Sequence, residues 1–360
     1  MTEQMRIFTT LRALALTLGI GSLLGGCANL SYYAQAVGGQ VDLLNRAQPV
    51  SAVLEDPDTH PNLKQALTKA LQLRAFASRE LALPENQSYT HYADLGRPYV
   101  VWNVFAAEEF STTPKQWCFI GAGCVSYRGF FAQDAAEAFA AELRRNGDDV
   151  FLGGVPAYST LGWFDDPLLN TFIGYTEPEL AQLLFHELAH QVVYVRDDST
   201  FNESFATAVE LEGMNRWLNL HGTSAQRSAF ESLQQRKAAY TSNMIGARKQ
   251  LAALYASGAS VDKKRSTKEQ IFAALRAELA QGSKHPERWQ AVQLNNAQLA
   301  SVATYTQWVP AFRALLAQQQ GNLTQFYQVV KAMSVLPQSE RNAMLHATLE
   351  ESRNQLAARP

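Results

Sequence analysis

Apolar residues recur at helical spacing along most of the chain. Two N-terminal stretches have apolar side chains three and four positions apart, over residues 29–48 and 61–84, and each is predicted to form a helix. From residue 177 onward almost all of the sequence has this spacing. The C-terminal half is therefore predicted to be helical, with its longest helix over residues 224–255, a polar turn over 256–267 and a partner helix over 267–279.

The pattern changes in one central region, where β-branched and aromatic residues are dense. Strands are predicted over residues 99–105, 125–131 and 148–164, with a helix over 134–145 between the second and the third. A small sheet confined to about 95–175, with helices before and after it, predicts an α+β fold that is predominantly helical. The domain prediction divides the chain into residues 1–26, an N-terminal helical segment 27–95, a catalytic core 96–222 and a helical C-terminal region 223–360.

The first 26 residues have the pattern of a signal peptide. Arg6 and Arg12 precede an apolar stretch of about a dozen residues, which is too short to cross a bilayer. The stretch ends in Leu-Gly-Gly before Cys27, an arrangement similar to a bacterial lipobox. This predicts lipidation of Cys27, a membrane anchor and, because Ala28 follows, the periplasmic face of the outer membrane. The alternative is an ordinary secretory peptide with an incidental cysteine.

Composition excludes several other functions. Charged residues make up 18% and the net charge is −2, so there is no basic footprint for nucleic acid. Three Cys are too few for a disulfide-rich scaffold or a zinc ribbon built from cysteines. In an oxidising periplasm, Cys118 and Cys124, which flank a glycine-containing loop, are predicted to form a disulfide. The alternative is a pair of buried thiols.

The strongest chemical signal is His186-Glu187-Leu-Ala-His190, within an apolar stretch predicted to be helical. Side chains at positions i and i+4 share one face of a helix, so His186 and His190 can bind one Zn²⁺ ion. Glu187 then lies beside the metal as a general base. The alternative is two histidines on an ordinary helix, without a metal.

A catalytic zinc takes three protein ligands, and the third distinguishes classes of zinc peptidase. Val193 and Arg196 occupy the positions at which a metzincin would have Gly and His, which excludes that class. The segment Asn202-Glu203-Ser-Phe-Ala resembles the Asn-Glu-x-x-Ala segment of thermolysin-like and gluzincin families, and it predicts Glu203 as the ligand. Its separation from His190 is shorter than is usual there, so Glu210 remains the main rival.

Glu203 also has a purely structural interpretation, as part of a capping box that begins at Thr200. Further along the same predicted helix, Thr207 and Glu210 fall on the face of Glu203 and could orient a zinc histidine. Asp197 and Asp198 are alternatives for that role, or simply turn residues.

Several stretches together resemble a family of predicted bacterial aminopeptidases that are lipoproteins, with a gluzincin-type zinc site. The resemblance covers most of the mature chain and rests on the segments VPAYSTLGWFDDPLLNTFI, FHELAHQVVYV, FNESFATAVE and NNAQLASVATYTQWVPAF. It implies a zincin-like core, one Zn²⁺ per chain and a peptide substrate.

The resemblance also implies further roles within the active site. The substrate backbone would pair with an edge strand, here Tyr158, Ser159 and Thr160, for which an ordinary structural strand is the alternative. An oxyanion donor would be Tyr305, Tyr158 or His346. Carboxylates would hold the substrate amine, for which Glu108 and Glu109 are candidates.

Three functions remain open from the sequence. The first is a zinc aminopeptidase, and the second is a zinc endopeptidase that acts on proteins of the cell envelope. The third is a lipoprotein without zinc that binds a partner through its helical half. Glu187 argues against the third, because a site without hydrolytic chemistry has no chemical use for this residue.

Overall fold

A computed structural model describes residues 32–119, 123–283, 285–290 and 292–357. The predicted signal peptide and Cys27 lie outside the described residues. Within them the chain is mostly helical with small sheets, which confirms the predicted α+β class. No helix among these residues is long and apolar enough to cross a membrane.

The chain divides into two compact units between Ala47 and Gln48. The described part of the first unit is one helix, α1, over residues 32–46. An ion pair joins Arg46 Nε to Asp42 Oδ1 at 2.9 Å, one turn apart along this helix. Such i, i+4 pairs stabilise an exposed helix modestly.

The second unit contains the sheets. Its strands are β1 (Gln48–Pro49), β2 (His91–Ala93), β3 (Val101–Ala107), β4 (Trp117–Phe119), β5 (Gly123–Val125), β6 (Arg128–Phe130), β7 (Asp149–Val155) and β8 (Leu168–Leu169). The largest sheet has the order β6-β3-β7 and is antiparallel. All seven residues of β3 are buried, because it is the central strand and is covered on its faces.

Helices make up the rest of this unit. In chain order they are α2 (Val50–Glu55), α3 (Pro61–Leu81), α4 (Gln133–Arg145), α5 (Glu177–His190), α6 (Ser199–His221), α7 (Ser224–Ala256), α8 (Val261–Gln281), α9 (Pro286–Gln290), α10 (Asn296–Thr306), α11 (Val309–Gln318), α12 (Leu323–Ser334) and α13 (Gln338–Ala357). Helices α5 and α6 pack on each other, and α10 packs on α6, α7 and the β3–β7 pair. Helix α10 therefore connects the helical half to the sheet.

Buried aromatic rings fill the space around α6. Phe205 lies 5.8 Å from the ring centroids of both Phe312 and Phe326, and Phe201 lies 5.0 Å from that of Phe312. All four side chains are almost completely inaccessible. Burial of such large rings supplies much of the packing energy of this region.

Several predicted boundaries were wrong. Residues 157–163 are not a strand, because Pro156 lacks the backbone N–H that a further ladder bond would need. The polar stretch 256–267 becomes helical at Val261, where the Ser260 hydroxyl accepts a hydrogen bond from Lys263 N. Strands also occur outside the predicted sheet region, since β1 pairs with β2 and β2 pairs with β8.

Candidate metal centre

Helix α5 has clear local reasons to form. Thr176 and Glu179 make a reciprocal capping box at its N-terminus, and Pro178 occupies the first turn. Its apolar face, with Leu184 and Leu188, is inaccessible to solvent. The helix ends at His190, so both histidines and Glu187 lie in its last two turns.

Side-chain hydrogen bonds hold the loop between α5 and α6 in place. Asn202 Oδ1 accepts a hydrogen bond from Val195 N and Asn202 Nδ2 donates one to Val195 O, both at 2.7 Å. Asp198, not Thr200, caps α6 by accepting from Phe201 N. The capping interpretation of Glu203 was therefore wrong, and its carboxylate is available for other contacts.

The structure brings His186, His190 and Glu203 together. The Nε2 atoms of the two histidines are 3.2 Å apart. Glu203 Oε2 lies 3.2 Å from His186 Nε2 and 3.6 Å from His190 Nε2. In a tetrahedral site, ligand atoms at about 2.0–2.1 Å from Zn²⁺ are roughly 3.3–3.4 Å from one another. The three atoms therefore have the mutual spacing of ligands around one ion.

The donor set has the chemistry that a metal cation takes. His186 Nδ1 lies 3.2 Å from Glu210 Oε2, so a proton on Nδ1 makes a hydrogen bond there and leaves Nε2 with a lone pair. This lone pair faces the Glu203 carboxylate and the second imidazole. When both Nε2 atoms are unprotonated, they and the carboxylate repel one another, and a bound cation would remove this repulsion. His190 Nδ1 is buried without a hydrogen-bond partner.

Glu210 contacts the side of His186 that faces away from the three converging atoms. It lies where a residue that orients a zinc histidine would lie, whereas Glu203 contacts both Nε2 atoms. Among the described residues, no hydrogen bond joins Thr207 to either histidine. Asp198 instead pairs with Arg341, and Asp197 accepts from Cys124 N.

The carboxyl groups differ in their protonation. Burial raises the pKa of Glu203, but electrostatic attraction by His190 and a hydrogen bond with His186 outweigh burial and, in the site without a metal, lower that pKa to about 2. For Glu187, burial raises the pKa, and the two histidines offset this only in part. The protein thus keeps Glu203 ionised and makes Glu187 a better proton acceptor.

Tyr305 on α10 lies over the same site. Its ring stacks on His186 with centroids 6.5 Å apart and planes 24° apart. Burial and the charges of Glu203 and Glu187 raise the pKa of its phenol, which stays protonated and can donate a hydrogen bond. Tyr194 is also within electrostatic range of Glu203, and the sequence did not single it out.

The other two predicted oxyanion donors contact aromatic rings. His346 is exposed and its ring packs against Trp308 at 4.8 Å. Tyr158 packs against Phe131 at 5.9 Å. No contact among the described residues joins the His346 side chain to the three metal-site residues. In the nearby sheet region, a disulfide joins Cys118 to Cys124 across the β4–β5 hairpin.

Comparison with known proteins agrees with the site. Residues 31–345 match the model of the family described as "Putative aminopeptidase", which is most of the chain. The chain belongs to this aminopeptidase family. No curated protein and no solved structure matches it.

An aminopeptidase needs a group that binds the substrate amine, and Glu108 and Glu109 are the predicted residues. Glu109 is paired with Arg265, whose Nε lies 2.6 Å from Glu109 Oε1. This hydrogen bond is the main cause of the lowered pKa of Glu109. Glu108 is exposed. Glu109 is therefore partly neutralised and Glu108 faces solvent, and an amine site at these two residues stays a prediction.

Four residues that support the site received no role of their own from the sequence. Asn202 and Arg341 act on the N-terminal part of α6, while Gln191 and Asp166 lie near the end of α5. Asn202 was noted in the sequence only as part of the Asn-Glu-x-x-Ala motif, without a role of its own. The roles of the other three depend on contacts between segments that are distant in sequence.

Proposed function

We propose that the chain is a zinc-dependent peptidase with a zincin-like core, and that its reaction is aminopeptidase cleavage. The observation that supports this most is the spacing of the His186, His190 and Glu203 ligand atoms, all within 4.8 Å of one another. Membership of the aminopeptidase family supplies the reaction class. Peptides are then the substrates, with one zinc ion per chain.

Each residue of the site has a separate role in the proposed hydrolysis. His186, His190 and Glu203 would hold the ion, and Glu210 would fix the ring of His186 through Nδ1. Bound zinc supplies a Lewis acid that polarises the scissile carbonyl and acidifies a water molecule. Glu187 accepts the proton of that water and delivers it to the departing amine.

Tyr305 donates a hydrogen bond to the oxyanion that develops on the carbonyl. This role is supported by its position over His186 and by a phenol that stays protonated at neutral pH. Because Tyr305 belongs to the helical region after residue 222, that region would complete the active-site cleft. The proposed catalytic core over residues 96–222 would be incomplete without it.

The decisive experiment compares wild type with Glu187→Gln. The variant keeps all three ligands, so we expect about one zinc per chain by elemental analysis and a loss of peptide hydrolysis by several orders of magnitude. Retention of full activity in metal-free protein would refute the zinc mechanism. Loss of zinc from the variant would mean that Glu187 holds the metal.

The exopeptidase reaction has a separate test. Cleavage of a peptide with a free N-terminus is compared with cleavage of the same peptide acetylated, with products identified by mass spectrometry. We expect blocked peptides to react far more slowly. Equal rates with internal cuts would favour the second candidate, an endopeptidase that acts on envelope proteins, with the same metal chemistry.

We further propose that the protein is exported and anchored through lipidated Cys27, at the periplasmic face of the outer membrane. Support comes from the Leu-Gly-Gly-Cys sequence at residues 24–27. Cys27→Ser is expected to move the folded protein from the membrane fraction to the soluble fraction. A folded variant that still pellets with membranes would reveal another anchor.

A further inference from the structure

An exposed aromatic pair lies at the tip of a tight turn whose base is joined by hydrogen bonds to the segment that contacts the end of α5. We define the aromatic turn as residues 159–166. Trp163 is 81% exposed and Phe164 is 48% exposed. Single exposed apolar residues are common, but two adjacent aromatic rings on one turn present a large apolar surface to solvent.

The aromatic turn is rigidly braced. Thr160 Oγ1 donates a hydrogen bond to Asp166 Oδ1 at 2.7 Å, and Thr160 N donates one to Asp166 Oδ2 at 3.0 Å. Across the tip, Phe164 N donates to Thr160 Oγ1 at 3.1 Å. Leu161 and Gly162 have left-handed φ values of 58° and 80°. This conformation is unfavourable for Leu161, and the hydrogen bonds of the turn stabilise it. The backbone that carries the two rings is thus held in one conformation before any ligand binds.

The base of the aromatic turn is tied to the end of the metal-site helix. Gln191, the residue after His190, hydrogen-bonds to Asn86 at 2.7 Å and to Ser88 at 3.1 Å. The next residue of that segment, Tyr89, donates its backbone N–H to Asp166 O at 2.6 Å. The end of the turn is therefore linked by hydrogen bonds to the C-terminal end of α5.

Asp166 is a buried carboxylate that braces the aromatic turn. Its residue is 5% exposed, and it accepts hydrogen bonds from the turn. Burial raises its pKa to about 6, and hydrogen bonds from Thr160, Ser159 and Gln191 lower it in part. The hydrogen bonds from Thr160 fix the turn on the Asp166 carboxyl group, and the hydrogen bond from Gln191 holds that group against the end of α5.

We propose that Trp163 and Phe164 bind a large apolar side chain of the peptide substrate, near the scissile bond. This inference rests on the proposed peptidase function and deepens it by naming a substrate class, peptides with an aromatic or large aliphatic residue. A rigid aromatic ring gives a large contact area at little cost in side-chain entropy. Trp163 and Phe164 thus determine specificity and take no part in bond cleavage.

Charge favours a peptide over a lipid surface as the occupant. Asp165 is exposed directly beside the two rings, and among the described residues no Lys or Arg forms an ion pair with Asp165 or Asp166. Carboxylates at the base of an apolar tip repel anionic lipid headgroups. The same carboxylates are compatible with a peptide, whose free N-terminus is positively charged.

The test measures binding separately from turnover. Two peptides with a free N-terminus and a C-terminal fluorophore, identical except for Phe or Ser as the first residue, are titrated against zinc-loaded Glu187→Gln protein. We expect Trp163→Ala in this background to weaken binding of the Phe peptide about tenfold and to leave the Ser peptide unchanged. Trp163→Phe should restore most of the loss. Val335→Ala is the matched control, because Val335 is 82% exposed and lies between α12 and α13.

In the active protein, Trp163→Ala should raise KM for the Phe peptide and leave kcat within about twofold. Unchanged affinity for the Phe peptide, or an equal loss for both peptides, would overturn the inference, as would failure of either peptide to bind. Reduced binding to phosphatidylglycerol vesicles with unchanged peptide affinity would assign the turn to a lipid surface instead. If peptides bind through Trp163 but wild type hydrolyses none, the proposed function fails and this inference stands.

Discussion

Asn202 makes two hydrogen bonds of 2.7 Å with the backbone of Val195, one from each half of its side-chain amide. Both residues are buried. The contact closes the short connection between α5 and α6. It therefore fixes the start of α6, and with it Glu203, relative to the two histidines of α5.

Asn202→Ala should lower the free energy of unfolding by ~1–3 kcal/mol, because it leaves the buried N–H of Val195 without its partner and removes one of the two hydrogen bonds to the Val195 C=O. Zinc affinity should fall as well, since Glu203 follows directly in the chain. Urea unfolding and chelator competition measure the two effects. Asn219→Ala, on the exposed side of the same helix, is the control and should change neither. A stable Asn202→Ala protein with normal zinc affinity would contradict this role.

Glu203→Ala and Glu210→Ala should differ in their effect on metal binding. Glu203 Oε2 contacts both Nε2 atoms, so its loss should remove a ligand and weaken zinc binding by more than ~100-fold. Glu210 contacts only the far nitrogen of His186, and its loss should cost about 10–100-fold. Competition with a fluorescent zinc chelator measures both. The reverse order would make Glu210 the ligand.

Tyr305→Phe should lower kcat by about 10²–10³-fold if the phenol stabilises the oxyanion, with little change in KM. Zinc content should not change, because the phenol is not among the atoms that converge on the metal site. Tyr240→Phe is a control on α7, where the ring packs against Trp289 at 6.1 Å. An effect of Tyr305→Phe on KM alone would indicate a role in binding the ground state.

Arg341→Ala should strongly destabilise the fold. Arg341 Nη2 lies 2.7 Å from Asp198 Oδ2, and both side chains are almost completely buried. Removing the cation leaves Asp198, the cap of α6, as an unpaired buried charge, which typically costs ~3–5 kcal/mol. Arg265→Ala breaks a more exposed pair with Glu109 and should have a small effect. Equal shifts in the unfolding midpoint for the two variants would be inconsistent with this reasoning.

Asp166→Asn should change how stability depends on pH. The pKa of Asp166 rises from its usual 3.8 to about 6 on folding, so between these values the folded state binds more protons than the unfolded state. The stabilising contribution of wild-type Asp166 therefore falls as pH rises through this window. Relative to wild type, Asp166→Asn should gain ~1–3 kcal/mol between pH 4 and pH 7.

Urea unfolding at several pH values measures this difference, and Asp165→Asn is the exposed control beside it. A pH-independent difference between wild type and Asp166→Asn would show that Asp166 titrates alike in the folded and unfolded chains.

The sequence by itself determined the local features. The spacing of apolar residues predicted α3, α4, α7 and the strand β3 within a few residues, because a helix or a strand repeats over short distances. The pair His186 and His190 was also predictable, since one turn of a helix brings positions i and i+4 together. The residue after them, Gln191, had no recognisable local role.

Tertiary structure decided which distant groups meet. Glu203 contacts the histidines and Glu210 contacts the far side of His186 because α6 packs on α5 at one particular rotation, which the Asn202–Val195 contact helps to fix. Glu109 pairs with Arg265, more than one hundred and fifty residues later in the chain, and the sequence did not predict this contact. Such contacts depend on the packing of whole helices, and no short stretch of sequence encodes them.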